Sequence, residues 1–207
     1  MELDEALRRR RMVRSFDGRP LPPGLVEGLL GRSLGAPRAG NTAGVAWIVL
    51  EGADRDAYWS TATTAAWRAS SRRWPGLSRA PVLAVCLASP EAYAARYREP
   101  DKEASGLGTV TAGNEPAWPV PYWFDDAAFA TLVVLIGATA AGVGACFLGN
   151  FRGEDDLLGS LGVPPGWRHF GTVALGYPDG RDHRSPSLDR PRPPLTDLVH
   201  HGRWTAR

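Results

Sequence analysis

Charged residues are scattered along most of this chain, but residues 127–151 contain none at all. The first part of that stretch, residues 126–141, is apolar on nearly every face, which predicts a helix enclosed on all sides by a core or an interface. Asp125 and Asp126 suit its N-terminus, where backbone N–H groups lack partners and the dipole favours negative charge. Gly142 suits a C-cap, and residues 142–149 predict a turn feeding a short buried strand. A membrane span competes, since about 20 apolar residues suffice to cross a bilayer. The segment is rich in Ala, Gly and Thr, however, and acidic rather than basic residues precede it, so a core helix is the better reading.

The pattern on either side predicts a layered domain. Leu3, Ala6 and Leu7 share one face of a short helix over residues 3–9, and Leu25, Val26, Leu29, Leu30 and Leu34 mark a second helix over 24–34. Residues 36–44 form a loop of mostly small side chains leading into a strand at 45–50. Helix is predicted for 54–72 and 90–98, a buried strand for 81–87, a small helix for 154–161 and a strand for 169–177. Between residues 99 and 123 no periodicity holds, and Gly and Pro punctuate a run that ends in Trp118, Tyr122 and Trp123. Loops of that length inside a compact domain are commonly lids or disordered, and the aromatic residues favour a lid. Strands separated by helices point to a layered α/β or α+β domain, with residues 178–207 as a Pro- and Arg-rich C-terminal arm.

Composition sharpens this only in places. The 207 residues suit one domain, or a subunit that completes its core by dimerising, and 43% are hydrophobic. A net charge of +2 is too small to imply a polyanionic partner by itself, although of the 24 basic residues only Lys102 is lysine. Cys86 and Cys146 sit in apolar runs without metal-ligand or disulfide spacing, and the charged N-terminus has no apolar leader core, so a reducing cytoplasmic setting is expected.

The common catalytic motifs are absent: no G-x-S-x-G elbow, no H-E-x-x-H and no phosphate-binding Walker loop occurs. Gly142-x-Gly144 follows a helix rather than a strand and is not a dinucleotide fingerprint. The remaining features make sense together if a bound cofactor carries the chemistry. Arg10, Arg11 and Arg14 come early and Arg190 and Arg192 late, and guanidinium groups are preferred partners of phosphate. Two segments of small residues, 37–44 and 147–150, suit close approach of backbone to a flat ring.

In these positions the chain resembles the FMN-dependent nitroreductase family over nearly its whole length. Arg10-Arg11-Met12-Val13-Arg14-Ser15-Phe16 is similar to that family's R-R-S-x-R-x-F start, with Met12 in place of the usual Ser. Ala36-Pro37-Arg38-Ala39-Gly40-Asn41 is similar to its A-P-S-x-x-N loop, with Arg38 for Ser and without the downstream Q-P-W. The glycine-bracketed segment that ends in Phe147, Leu148, Gly149 and Asn150 resembles the one that packs along the flavin, and Arg190-Pro-Arg192 resembles the C-terminal basic pair. The resemblance implies an α+β fold, a mixed sheet sandwiched by helices, and an intertwined homodimer around the long central helix. It implies FMN held by Arg10, Arg11, Met12, Arg14, Arg190 and Arg192. Pro37, Arg38, Ala39 and Asn41 reach the ring from the partner subunit, and Phe147, Leu148, Gly149 and Asn150 line it. No side chain is expected to act as a nucleophile; the Gly149 amide is the candidate donor to flavin N5. Trp118, Tyr122, Trp123 and Phe124 are the candidate substrate lid. NADH or NADPH is expected to reduce the flavin in a ping-pong cycle that ends on a nitroaromatic, a quinone or another electron-poor small molecule.

Two alternatives differ in class. The altered loop at Asn41 and the aromatic lid suit a specialised flavin enzyme of the same fold, such as a desaturase, dehalogenase or flavin-cleaving enzyme. A basic arm over residues 8–14 suits nucleic-acid binding, but the near-neutral charge and lack of a binding motif argue against it. Neither nucleic acid nor membrane is expected as a partner.

Overall fold

A computed structural model describes residues 1–110, 118–149, 153–183 and 185–204. Asn150 and residues 111–117 of the expected lid lie outside the described residues. The described helices are α1 (Leu3–Arg9), α2 (Leu25–Ser33), α3 (Gly52–Ala62), α4 (Ala65–Ser70), α5 (Trp74–Leu77), α6 (Pro90–Arg96), α7 (Tyr122–Ala140), α8 (Glu154–Ser160) and α9 (Leu195–Leu198). The strands β1 (Val45–Glu51), β2 (Val82–Ala88), β3 (Gly144–Leu148) and β4 (Arg168–Gly176) form one sheet of order β1-β2-β4-β3 with antiparallel neighbours. Met12 adds an isolated parallel bridge to Ala145 on the outer edge of β3, while the four described strands pair antiparallel throughout, where a mixed sheet was expected.

Helices cover both faces of that sheet, so the fold is α+β in three layers. Alternate residues of β2 divide between the layers: Leu83, Val85 and Leu87 pack with Tyr58, Trp59 and Leu157, whereas Val82 and Ala84 pack with Leu29, Val134 and Leu135. With both faces covered, every residue of β2 is buried, and its sequence reads as an unbroken apolar run. Helix α7 is long and apolar enough to span a membrane by length and composition alone. Its packing on α2 and on all four strands accounts for the same composition.

Three other expectations are corrected. Helix α7 begins one turn earlier than residue 126, after Pro121, so Tyr122, Trp123 and Phe124 are helical and not the end of a loop. Asp126 is therefore inside the helix, 3% exposed, and bonded to tertiary partners instead of capping an end. The single helix expected over 54–72 is two, because Thr63 is extended and the Thr64 side chain caps α4 by accepting from the Trp67 N–H at 3.1 Å. The C-terminus of α7 is as expected. Gly142 takes φ +73° and the Val143 N–H reaches back to the Ala138 carbonyl at 2.9 Å, closing a Schellman turn into β3.

Candidate functional site

The site is built on the open edge of β3. Val13 N–H donates to the Ala145 carbonyl at 2.9 Å, and Phe147 N–H donates to the Met12 sulfur at 3.4 Å. The segment around Met12 thus lies along the edge, with Val13 and Phe16 in the core. Residues 145 and 147 turn their backbone polar groups outward, away from β4. The two faces of the strand differ. Cys146 and Leu148 pack on the side of α3 and α8, while Ala145 and Phe147 pack on the side of α7. The Phe147 ring lies over β4 at Gly171, where a Cβ would stand 2.3 Å from a ring carbon, so only glycine leaves room for it.

Three cavities meet beside this edge, and Arg14 lines all of them. The first, about 500 Å³, is lined by Arg10, Arg11, Met12, Arg14 and Arg192, together with Asp182, His183, Ser185 and Ser187. Arginines from both ends of the chain therefore line it together, Arg10, Arg11 and Arg14 from the start and Arg192 from the end. Arg190 is absent from its lining. The second, about 450 Å³, is walled by Tyr58, Trp59, Trp67, Leu77 and Leu148, with Gly149, Arg14 and Arg73. The third, about 270 Å³, is cationic. Asp182 fixes the common wall, since it accepts the Arg14 backbone N–H at 3.0 Å, and the Arg14 guanidinium donates to the Met12 carbonyl at 3.3 Å.

Behind Leu148 lies a buried polar chain. Tyr58 donates to the Thr172 hydroxyl at 2.9 Å, and His169 Nε2 is 2.9 Å from the same oxygen. Burial raises the Tyr58 pKa and lowers that of His169, which keeps both groups neutral. Burial likewise pushes the Cys146 thiol up to about 11, so it is no nucleophile near neutral pH.

The loop at Pro37, Arg38, Ala39 and Asn41 is elsewhere in the chain and lines none of the three cavities. It is held at the start of α7: Ala39 N–H donates to Asp126 at 2.8 Å, the Tyr93 hydroxyl donates to the same carboxylate at 2.6 Å, and Arg96 donates to the Gly40 carbonyl at 2.8 Å. Asn41 takes φ +54°, a left-handed conformation that Asn tolerates, and its side chain accepts from Arg38 at 3.1 Å. Trp118 and Trp123 are buried against Tyr93, and Trp118 also meets the Tyr97 ring at 4.6 Å. These two lid candidates are core residues, while Tyr122 is exposed. Phe124 leads on through Phe170 to Phe147, with ring centroids 6.0 and 5.4 Å apart. Sequence reasoning missed Tyr58, Trp59, Trp67, Arg72 and Arg73. In an arginine-rich chain an Arg pair at the end of an expected helix carries no signal of its own.

A model of the nitroreductase family matches residues 7–177. The chain belongs to the nitroreductase family. A protein of Archaeoglobus fulgidus with the provisional name NADH dehydrogenase/NAD(P)H nitroreductase is 30% identical over 90 residues, covering 42% of this chain and 50% of that protein. The alignment thus spans half the length of that curated relative. Among solved structures, a nitroreductase family protein from Streptococcus pneumoniae TIGR4 superposes with a TM-score of 0.72 at 16% identity, covering 96% of this chain and 99% of that one. A provisionally named nitroreductase from Desulfovibrio desulfuricans, solved in complex with FMN, superposes with a TM-score of 0.67 at 20% identity over 99% of both chains. At such identities the superpositions establish the nitroreductase fold of this chain and nothing finer.

Proposed function

We propose that the protein is an FMN-dependent oxidoreductase that works as a homodimer and passes electrons from NADH or NADPH to an electron-poor small molecule, such as a nitroaromatic or a quinone. The observation that carries this reading is the meeting of Arg10, Arg11, Arg14 and Arg192 in one cavity against the edge of β3. Four guanidinium groups fit the phosphate of FMN, which each can meet with paired N–H donors. The cavity beside Leu148 and Gly149 fits the flat ring, since its walls are aromatic and aliphatic. When bound, FMN supplies hydride and electron transfer. The protein's part is to hold, orient and shield it. The edge N–H groups of β3 follow a two-residue period from Phe147, which supports Gly149 as the amide that faces the reactive end of the ring. Tyr58, which lines that cavity, stays protonated because burial raises its pKa, so the wall presents no phenolate to the ring.

The homodimer draws support from surface that a single chain leaves open. Phe129 and Leu132 on α7 are 45% and 47% exposed, and Leu3 and Leu7 on the neighbouring α1 are 62% and 48% exposed. An apolar stripe of this kind marks an interface. The test is the visible spectrum of the purified protein. A yellow protein whose flavin absorbance bleaches with NADH or NADPH is expected, and a colourless protein that cannot be reconstituted with FMN would overturn the reading.

A further inference from the structure

Beside the two cavities assigned to the cofactor, the third carries five arginines, one more than the first. Arg14, Arg72, Arg73, Arg79 and Arg181 face it against Asp179 and Asp182, so five positive charges meet two negative ones. Both carboxylates are already engaged. Asp179 accepts from the Ser15 hydroxyl at 2.8 Å, from the Arg181 N–H at 2.8 Å and from Arg79 at 3.2 Å, while Asp182 holds the Arg14 N–H. Burial pushes the Asp179 carboxyl up, but the bonds from the Arg181 N–H and Ser15 outweigh it, and its pKa ends below the ordinary value. Among the described residues the guanidinium groups of Arg72, Arg73 and Arg181 enter no ion pair or hydrogen bond.

We propose that this cleft, between Ser15, residues 72–76 and the turn at 179–183, is a second anion site, one that takes a phosphate or pyrophosphate of the molecule that exchanges during turnover. Three segments distant in sequence deliver the arginines, and Asp179 locks the backbone of the turn that carries Arg181. Gly76 packs so closely on Ser15 that a Cβ there would lie 2.4 Å from the hydroxyl oxygen, which closes the floor of the cleft. At about 270 Å³ the cleft is smaller than the roughly 300–1,000 Å³ that holds a whole small molecule, so it suits the charged end of a larger one. Arg14 and Arg73 also line the aromatic cavity assigned above to the flavin ring, so the cleft opens directly beside it. The identity of that ligand rests on the flavoenzyme reading; the anion site itself does not.

The test uses the protein as purified, titrated calorimetrically with inorganic pyrophosphate. Wild type and R8E, which moves the same charge at an exposed position of α1, are expected to bind pyrophosphate with an affinity that falls as salt rises. R72E and R181E are expected to bind about tenfold or more weakly, as loss of a charge-assisted bond implies, with FMN content unchanged. Equal binding in all four proteins would overturn the proposal. So would loss of FMN from R72E or R181E, which would give the cleft to the cofactor's own phosphate. If the proposal holds, a KM raised for the reduced dinucleotide assigns the phosphate to the electron donor, and a KM raised for a phosphorylated acceptor alone assigns it to the oxidant. A protein that never takes up FMN yet binds pyrophosphate through Arg72 and Arg181 would retain the anion site and remove the flavoenzyme reading.

Discussion

Arg14 is the residue on which the site turns, because its guanidinium borders all three cavities while its backbone is pinned by Asp182 and its neighbour Val13 by Ala145. R14E and R192E should each lower FMN affinity by about 10- to 100-fold, the effect of losing a hydrogen bond between charged groups. R190E should change it far less, since Arg190 does not line the cavity. Flavin retained after dialysis measures all three. Met12, where a Ser is usual in the resemblance, serves the fold by accepting the Phe147 N–H on the strand edge. M12A should cost about 1–2 kcal/mol in denaturant unfolding, for a half-buried side chain and a weak acceptor lost together. The pH response follows from His169. Its pKa in the folded protein lies below the ordinary 6.5 because burial disfavours the charged ring, so the unfolded chain binds the extra proton first. Stability should therefore fall as pH drops below about 6.5. Melting temperatures of H169Q should be flatter across that interval than those of the wild type. Glu154, also held below its ordinary value despite burial by bonds from Arg168 and the His169 N–H, adds loss only at lower pH.

At the scale of elements, the local pattern was enough wherever one period held without interruption. The strands, the C-terminal turn of α7 and helices α1, α2, α6 and α8 were legible because their apolar spacing and Gly caps speak for themselves. The start of α7 was not, because Pro119 and Pro121 read as loop punctuation, whereas Pro121 is the residue that begins the helix. Asp126 shows the cost of that shift: read as a helix end it complements a dipole, but one turn inside it becomes the anchor between α7, α6 and the 37–41 loop. D126A leaves the Tyr93 hydroxyl and the Ala39 N–H without their acceptor and should cost about 2–4 kcal/mol. D126N, which keeps an acceptor oxygen, should restore part of it. Thermal melts with limited proteolysis of the loop distinguish the two. G171A tests β4 in the same way, since the new Cβ would drive into the Phe147 ring; about 1–3 kcal/mol of destabilisation is expected.

For the whole molecule the proposed function is tied to assembly. One chain brings the arginines to β3 but keeps Pro37, Arg38, Ala39 and Asn41 on another side, so a site that uses both needs two copies. L132D, placed in the exposed apolar stripe of α7, should convert a dimer into monomers by sedimentation and release FMN in the same step. Monomers that retain flavin would separate the cofactor site from the interface.

By itself the sequence determined the covered sheet, the buried central helix and the two arginine clusters, because burial and charge are written in local order and survive translation along the chain. Only the tertiary structure decided which arginines meet. The path of residues 10–16 along β3 and the return of the C-terminal arm select Arg192 over Arg190, while residues 72–76 and the turn at 179–183 add Arg72, Arg73 and Arg181 from segments with no local mark. The same holds for Trp118 and Trp123: aromatic character made them candidates for a lid, but whether such a side chain faces a ligand or the core depends on Tyr93 and Tyr97, residues more than twenty positions away, packing against them.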